Sequence, residues 1–343
     1  MKAPSYRDAY QVLVLQAADD GRGPILFGDS LPQARTAPLP FLLGKEFPDV
    51  YLEHPLIGDP FIDVTVLYGE LDPGERVESP AAGDHGAMLD WYAAARSEYH
   101  EISCGFELDT SKDVLPMAAV HFQPRGRTEL VRPFCEALGE PERAELYLDR
   151  AVRMPEGWPL SFFGMFRGRP AAPLRVCGYL GPDEKTSCAQ DPRKLARVFD
   201  EVGFSAYDSA MLDQVAALMA ATSGAVDFQF DVFPYGGLSS TFAIDLQFDI
   251  AQPEVVCQNF TNGKAARVME LLESWGAADG RWKLGAEAAF ARALPIELDE
   301  GETGRFAFTL MPQWAKARWT DGVLQPSKLY HLAHTGLLEK PIE

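Results

Sequence analysis

Pairs of strand-like segments recur along this 343-residue chain, and pairs of helix-like segments separate them. In 226–233 (VDFQFDVF) and 241–249 (TFAIDLQFD), apolar and polar residues alternate, which predicts two strands, and a Pro-Tyr-Gly-Gly turn joins them. The helix-like segments carry apolar residues at a helical period instead. The predicted strands are 11–16, 61–68, 102–109, 117–123, 161–167, 174–180, 226–233, 241–249, 306–320 and 327–334, and the predicted helices are 87–98, 129–138, 141–152, 192–202, 210–222, 264–275 and 284–294.

This order of elements restricts the architecture. Parallel βαβ winding alternates single strands with single helices, whereas strands joined by short turns form antiparallel hairpins. Four hairpins and two N-terminal strands make about ten strands, enough to close into a barrel with a wide lumen and an outer ring of helices. We therefore expect an α+β fold, an antiparallel ten-stranded β-barrel built from repeated units. Residues 87–343 would form the repeats as one continuous domain, and residues 1–86 would complete or cap the barrel.

Each strand has an apolar face and a polar face. In 102–109, Ile102, Cys104, Phe106 and Leu108 oppose Ser103, Gly105, Glu107 and Asp109. Because successive side chains of a strand point to opposite faces, the apolar set would pack on the helices and the polar set would line the lumen. An open sheet with helices on one side and water on the other explains the same alternation. The lumen is favoured because the polar faces carry aromatic residues and short acids, whereas a solvated face favours Lys and Glu.

Basic and acidic residues gather on different strands. The basic positions, with the tyrosines that share their faces, are Arg175, Tyr179, Lys316, Arg318, Lys328 and Tyr330. The acidic positions of the central hairpin include Asp227, Asp231 and Asp245. Since residues two apart on a strand share a face, the last hairpin becomes a candidate wall of an anion site.

Composition excludes several classes of function. The net charge of −19, from 50 acidic and 31 basic side chains, argues against a nucleic-acid partner. The five cysteines never form C-x-x-C and fit a reducing cytoplasm, and no apolar stretch predicts a signal core or a membrane insertion. No P-loop, G-x-G-x-x-G or G-x-S-x-G motif is present, so we expect neither a nucleotide or redox cofactor nor a hydrolase.

Repeated α-β-β-α units that close a ten-stranded barrel, with Lys/Arg-x-Tyr pairs on lumen-facing strands, resemble the ABBA aromatic prenyltransferases. The resemblance covers 87–334 as element order and face polarity. Ser327-Lys328-Leu329-Tyr330 matches the K-x-Y strand of that family, and the segment from Arg175 to Tyr179 is a looser relative. The resemblance implies transfer of an isoprenyl group from an isoprenyl diphosphate to an electron-rich side chain of a ribosomal peptide or to a small aromatic acceptor.

The resemblance also implies roles for individual residues. A diphosphate needs several cations at fixed geometry, and Arg, Lys and Tyr supply charge and hydrogen bonds. The implied diphosphate set is Arg175, Tyr179, Lys316, Arg318, Lys328 and Tyr330. Trp314 would shield the allylic cation, and Glu107 would remove the final proton. Asp231 and Asp245 could bind Mg²⁺, which prefers oxygen ligands and substrate phosphates.

A second function is open on the same residues. A non-catalytic module could hold a peptide or lipid for a peptide-modifying enzyme, with the acidic central strands as the contact surface for a basic peptide. Titration with an isoprenyl diphosphate separates the two functions, since binding that depends on Lys328 favours the enzyme. His331 and His334 face opposite sides of one strand and cannot share a metal. Of the other four histidines, only His121, at a lumen position, is a candidate for testing.

Overall fold

The structure, a computed structural model, describes residues 6–17, 22–44, 48–111, 115–169, 171–248, 253–297 and 303–338. Its helices are α1 (Tyr6–Ala17), α2 (Gly23–Leu26), α3 (Leu31–Thr36), α4 (Gly86–Glu98), α5 (Val131–Ala137), α6 (Pro141–Arg153), α7 (Pro182–Gln190), α8 (Pro192–Val202), α9 (Ser209–Ala221), α10 (Pro253–Asn262), α11 (Lys264–Ser274) and α12 (Arg281–Glu287). Its strands are β1 (Asp49–Pro55), β2 (Asp63–Tyr68), β3 (Ser103–Leu108), β4 (Ala119–Gln123), β5 (Leu160–Met165), β6 (Leu174–Leu180), β7 (Val226–Val232), β8 (Leu238–Gln247), β9 (Phe290–Glu297), β10 (Thr303–Thr320), β11 (Val323–Leu324) and β12 (Lys328–Leu338).

Ten of these strands close into a ring. Strands β1 to β8 pair in chain order, β8 pairs with β10, β10 with β12, and β12 returns to β1, all antiparallel. In the closing pairs, Asp245 lies opposite Lys316 and Glu53 lies opposite Tyr330. Strands β9 and β11 pair with β10 outside the ring. The predicted antiparallel ten-stranded barrel is confirmed.

The apolar faces of the strands form the core between the barrel and its helices, as predicted. Phe122 of β4 stacks on Phe134 of α5 with ring centroids 4.2 Å apart, and Phe199 of α8 lies edge-on against Phe242 of β8 at 4.8 Å. Aromatic pairs of this kind stabilise a core beyond the area that they bury. The helices therefore cover the outside of the barrel and leave its polar face to the lumen.

Helix α8 shows how the sequence sets element boundaries. The Asp191 side chain accepts a hydrogen bond from the backbone N–H of Arg193, and Pro192 fills the first helical position. Gly203 ends the helix in the left-handed region at φ 78°, where a side chain would be strained. Between these signals Leu195, Val198 and others form the buried stripe.

The prediction of a strand over 11–16 was wrong, because this segment belongs to helix α1. Its run of Val and Leu fits both the two-residue period of a strand and the 3.6-residue period of a helix, so periodicity alone cannot assign it. Tertiary packing decides it: Ala9, Tyr10 and Val14 are buried, and the Tyr10 hydroxyl donates to the carbonyl oxygen of Ala34 at 2.5 Å. The tenth barrel strand is β1, which the sequence pattern did not predict.

The helices between hairpins also differ from the predicted pairs. Three helices, α7 to α9, separate β6 from β7, and another three, α10 to α12, follow β8. The predicted helix 284–294 was wrong at its C-terminal half, because α12 ends at Glu287 and β9 begins at Phe290. Residues 290–297 pair with the first part of β10, so their backbone groups form hydrogen bonds between strands instead of within a helix. Residue 249, the predicted end of one strand, lies outside the described residues. Across the described ranges, none of the helices combines the length and the apolar character that crossing a bilayer requires.

Candidate active site in the barrel lumen

The polar faces of the barrel strands line two neighbouring cavities, a large chamber and a small chamber, which share five lining residues. The large chamber is a cavity of about 870 Å³, and its wall includes Tyr51, Phe162, Tyr179, Asp227, Asp245 and Trp314. The small chamber is a cavity of about 60 Å³, and its wall includes Arg169, Arg175, Asp231, Arg318 and Lys328. Glu53, Glu107, Gln229, Lys316 and Tyr330 line both. The lumen expected from strand alternation therefore exists, and its two chambers differ in size and in the charge of the side chains that line them.

The small chamber is rich in positive charge. Five basic side chains and three acidic ones line it. The five predicted residues Arg175, Lys316, Arg318, Lys328 and Tyr330 come together there from β6, β10 and β12. The sixth, Tyr179, lies in the wall of the large chamber instead. This clustering can hold an anion with several negative charges.

Carboxylates fix the positions of two of these cations. Arg175 donates to both oxygens of Asp231, over 2.8 Å from Nε and 3.3 Å from Nη2. The Lys328 ammonium lies 2.6 Å from Asp63 Oδ2 and 3.1 Å from Glu53 Oε2. Burial alone would lower the pKa of both bases, but the neighbouring carboxylates outweigh it and raise both, so Arg175 and Lys328 stay charged.

Arg318 differs from the other cations. Its side chain is solvent-exposed, and among the described residues no carboxylate lies within ion-pair distance of it. Partial desolvation of its guanidinium, and then the charges of Arg175 and Arg169, lower its pKa. Arg318 therefore lies near two other cations, whose influence exceeds that of the Asp231 carboxylate, and its guanidinium is available to a ligand.

Arg169 also belongs to the small chamber, although the sequence analysis did not select it. It lies after β5, where no strand alternation exists to reveal its direction. Its Nη2 donates to Glu107 Oε1 at 2.6 Å, and its guanidinium lies 3.9 Å from the ring centroid of Phe166. The Arg175 guanidinium lies 4.4 Å from the same ring, so Phe166 supports both arginines.

Three aromatic rings lie together in the wall of the large chamber, and one of them, Tyr330, also lines the small chamber. Trp314 stacks on Tyr330 with centroids 5.0 Å apart and lies 4.6 Å from Tyr51. The Lys316 ammonium lies 5.2 Å from the Tyr330 ring centroid. Trp314 thus lies next to the cations, as its register with Lys316 predicts. Tyr51 was missed because strand β1 was missed.

Glu107 is part of a half-buried hydrogen-bonded pair. Its Oε2 lies 3.1 Å from Nε2 of His121, and its Oε1 accepts from Arg169. Burial would raise the pKa of Glu107, but the hydrogen bond to His121 and the charge of Arg169 outweigh it and lower the pKa well below its usual range. Glu107 therefore stays ionised beside the His121 ring.

The aspartates of the central hairpin lie at two levels of the lumen. Asp227 and Asp245 are direct cross-strand partners, whereas Asp231 lies four residues further along β7, about 13 Å away along the strand. Asp231 pairs with Arg175 and Asp245 pairs with Lys316. The structure does not bring together the two carboxylates predicted to bind Mg²⁺, and the described residues contain no group of three or more metal-ligating side chains. This donor set does not fit an ion shared by Asp231 and Asp245.

The closed ring of hairpins, its outer helices and its charged lumen define an α-β-β-α barrel, the fold of the ABBA prenyltransferases. No protein-family model matches the chain, and no curated protein is detectably similar in sequence. Solved structures with the same fold include 5-dimethylallyltryptophan synthase from Streptomyces coelicolor, with a TM-score of 0.54 and 11% identity over 97% of this chain and 98% of that one.

Two liganded structures share the fold as well. The same Streptomyces coelicolor enzyme in complex with DMASPP and Trp superposes with a TM-score of 0.50 and 12% identity, over 97% of this chain and 96% of that one. A binary complex of PriB with product diphosphate superposes with a TM-score of 0.51 and 11% identity, over 96% of both chains. The predicted resemblance is confirmed for the fold.

Proposed function

We propose that the protein transfers a prenyl group from an isoprenyl diphosphate to an electron-rich aromatic acceptor, a small molecule or a peptide side chain. One observation carries the proposal: the cationic small chamber shares lining residues with the large chamber, whose wall contains the aromatic rings of Trp314, Tyr330 and Tyr51. Lys316 and Tyr330 belong to both chambers. An isoprenyl diphosphate likewise has a charged diphosphate head next to an apolar prenyl tail, so the head fits the small chamber and the tail fits the aromatic rings.

The small chamber would hold the diphosphate. Arg318 supplies a guanidinium without a carboxylate partner among the described residues, and Lys316 and Lys328 supply point charges on neighbouring strands. Asp231 fixes the guanidinium plane of Arg175, so this donor needs little reorganisation on binding. Tyr330 can add a hydroxyl donor.

Ionisation would break the bond between the allylic carbon and the bridging oxygen, and the electron pair would leave with the diphosphate. The cations stabilise the charge that develops on this leaving group. The allylic cation would then lie against Trp314, Tyr330 and Tyr51, whose ring faces attract positive charge. The barrel wall keeps water from the cation.

The acceptor carbon would attack the cation and then lose its proton to the pair formed by Glu107 and His121. The ionised Glu107 stabilises the imidazolium that results on His121. Glu107 thus acts through His121, and both side chains line the large chamber, where a cavity of about 870 Å³ can hold an acceptor.

The test is a reaction of the protein with dimethylallyl diphosphate and a panel of indoles and phenols, free and within peptides, followed by mass spectrometry. We expect a prenylated product with the wild type and with Arg197→Ala, a control on the surface of α8. Arg318→Ala should lose most of the turnover and keep the fold, since no described carboxylate depends on Arg318. If neither dimethylallyl nor geranyl diphosphate binds or reacts, prenyl transfer is contradicted and a binding module becomes the better explanation.

A further inference from the structure

Asp227 and Asp245 are a buried pair of carboxyl groups that the proposed chemistry does not use. They lie directly opposite each other on β7 and β8, and their exposed fractions are 7% and 6%. Like charges in this position destabilise a sheet unless a cation lies between or beside them. The charge of Lys316 acts on the two unequally: Lys316 lies 3.5 Å from Asp245, and no described basic side chain forms an ion pair with Asp227.

The partners of Asp227 are weak. Its two oxygens accept from Nε2 of Gln247 over 3.4 Å each. Burial and then the charge of Asp245 raise the pKa of Asp227 to about 8. In the free protein this carboxyl group therefore holds a proton near neutral pH, and a neighbouring cation would ionise it.

Gln229 provides an independent observation at the same place. Its side-chain nitrogen donates to Asp245 Oδ2, but its side-chain oxygen has no hydrogen-bond partner within the part of the chain that the structure describes. The residue is 4% exposed and lines the chamber. A buried acceptor without a donor is costly, and it calls for an N–H or O–H group of a ligand.

The charges of the large chamber extend this local pattern. Five carboxyl groups line it, against the basic side chains of Arg125 and Lys316 and two histidines. Tyr179 of β6 lies opposite Asp227 of β7, and the Tyr179 ring centroid is 6.0 Å from that of Phe162. Two aromatic rings beside two carboxyl groups form a suitable environment for an ammonium or guanidinium group.

We propose that the large chamber selects an acceptor that carries a positive charge, an ammonium or guanidinium group held between Asp227, Asp245 and Gln229. This inference rests on the proposed prenyl transfer, because it names the acceptor class of that reaction. The two substrates then approach opposite ends of the lumen, the anionic diphosphate at the small chamber and the cationic acceptor at the large one. The charge division keeps each substrate out of the other chamber.

Three indoles that differ only in the charge of the side chain test the inference by calorimetric titration: tryptamine (positive), 3-ethylindole (neutral) and indole-3-propionate (negative). We expect the wild type to bind tryptamine at least about tenfold more tightly than 3-ethylindole, and to bind indole-3-propionate most weakly. Asp227→Asn, which keeps the shape of the side chain, should remove most of this preference. Asp213→Asn, on the exposed face of α9, should retain it.

A wild type that binds the three indoles equally, or binds none of them, would overturn the inference. So would a preference for tryptamine that persists unchanged in Asp227→Asn and in Asp245→Asn. Titration with dimethylallyl diphosphate in the same series keeps the two proposals apart, because that ligand tests the small chamber. Diphosphate binding without a preference among the indoles leaves prenyl transfer standing and removes the cationic acceptor.

Discussion

Lys316 and Lys328 lie directly opposite each other on β10 and β12, and both side chains line the small chamber. Two ammonium groups in this position repel each other. Acids on other strands compensate them separately, Asp245 beside Lys316 and Asp63 with Glu53 beside Lys328. Closure of the barrel pairs β8 with β10 and β12 with β1, and it thereby brings these acids next to the two ammonium groups and offsets their repulsion.

We expect Lys328→Met to destabilise the protein by about 3–5 kcal/mol, because it leaves the buried carboxylates of Asp63 and Glu53 without their cation. Burial already raises the pKa of Asp63 to about 6 with Lys328 present. Asp63→Asn in the Lys328→Met background should restore part of the lost stability, since it removes one uncompensated charge. Urea unfolding of the wild type, both single variants and the double variant measures this coupling. Free-energy changes that simply add would contradict the ion pair.

Trp314→Leu should slow the proposed prenyl transfer by about tenfold while dimethylallyl diphosphate binds as before, because the ring would act on the allylic cation and the phosphates would lie in the small chamber. The loss should also let water compete, so a larger share of the diphosphate would be hydrolysed to dimethylallyl alcohol. Trp314→Phe keeps a ring face and should lie between the two. The ratio of alcohol to prenylated product, measured by chromatography, reports this directly. An unchanged ratio in Trp314→Leu would assign the residue to packing alone.

The pair of His54 and His331 predicts loss of stability in mild acid. Both rings are buried on the outer side of the barrel, with centroids 4.7 Å apart, and they face the backbone oxygens of Leu26 and Gly285. Burial lowers the pKa of His331 to about 4 and, with the charge of His331, lowers that of His54 well below its usual range. Below about pH 6.5 the two histidines therefore bind protons in the unfolded chain but not in the folded one. The free energy of unfolding consequently falls as the pH drops from about 6.5 to 4.

The contribution of these histidines can be isolated with His331→Gln. This variant should be less stable at pH 8, but its free energy of unfolding should fall less steeply between pH 6.5 and 4.5 than that of the wild type. His100→Gln, an exposed position, serves as the control and should keep the wild-type slope. Parallel curves for His331→Gln and the wild type would show that the pair does not titrate in this range.

Local patterns predicted the barrel where alternation is strong. The faces of 102–109 and 226–233 place Glu107 and Asp227 in the lumen, and the spacing of Lys316, Arg318 and Lys328 places those side chains together. The segment DVYLEHP of β1 alternates too, but Asp, Glu, His and Pro are poor strand formers, and its partner β12 lies far away in sequence. Missing β1 meant missing Tyr51 and Glu53.

Other site features depend on contacts that no local pattern contains. Arg169 lies in a turn, so its approach to Glu107 follows from where that turn packs. The two levels of the acidic residues follow from the register of β7 on β8, which contains an irregularity between Phe230 and Val232. The sequence grouped Asp231 with Asp245 by composition, and only the register separates them.

Gly164 leaves room for the Glu107–His121 pair. It lies opposite His121 in the pairing of β4 with β5, and a Cβ atom there would lie 2.9 Å from both Cε1 and Nδ1 of the His121 ring. We expect Gly164→Ala to displace this ring and lower prenyl transfer by about tenfold, because a proton acceptor must hold its position. Binding of dimethylallyl diphosphate should change less than about twofold, since the phosphates would contact other residues.

Gly181→Ala, where no atom lies within 4 Å of the new Cβ, is the matched control and should react like the wild type. Single-turnover rates and calorimetric titration of both variants separate the two effects, and full turnover in Gly164→Ala would remove His121 from the proposed reaction.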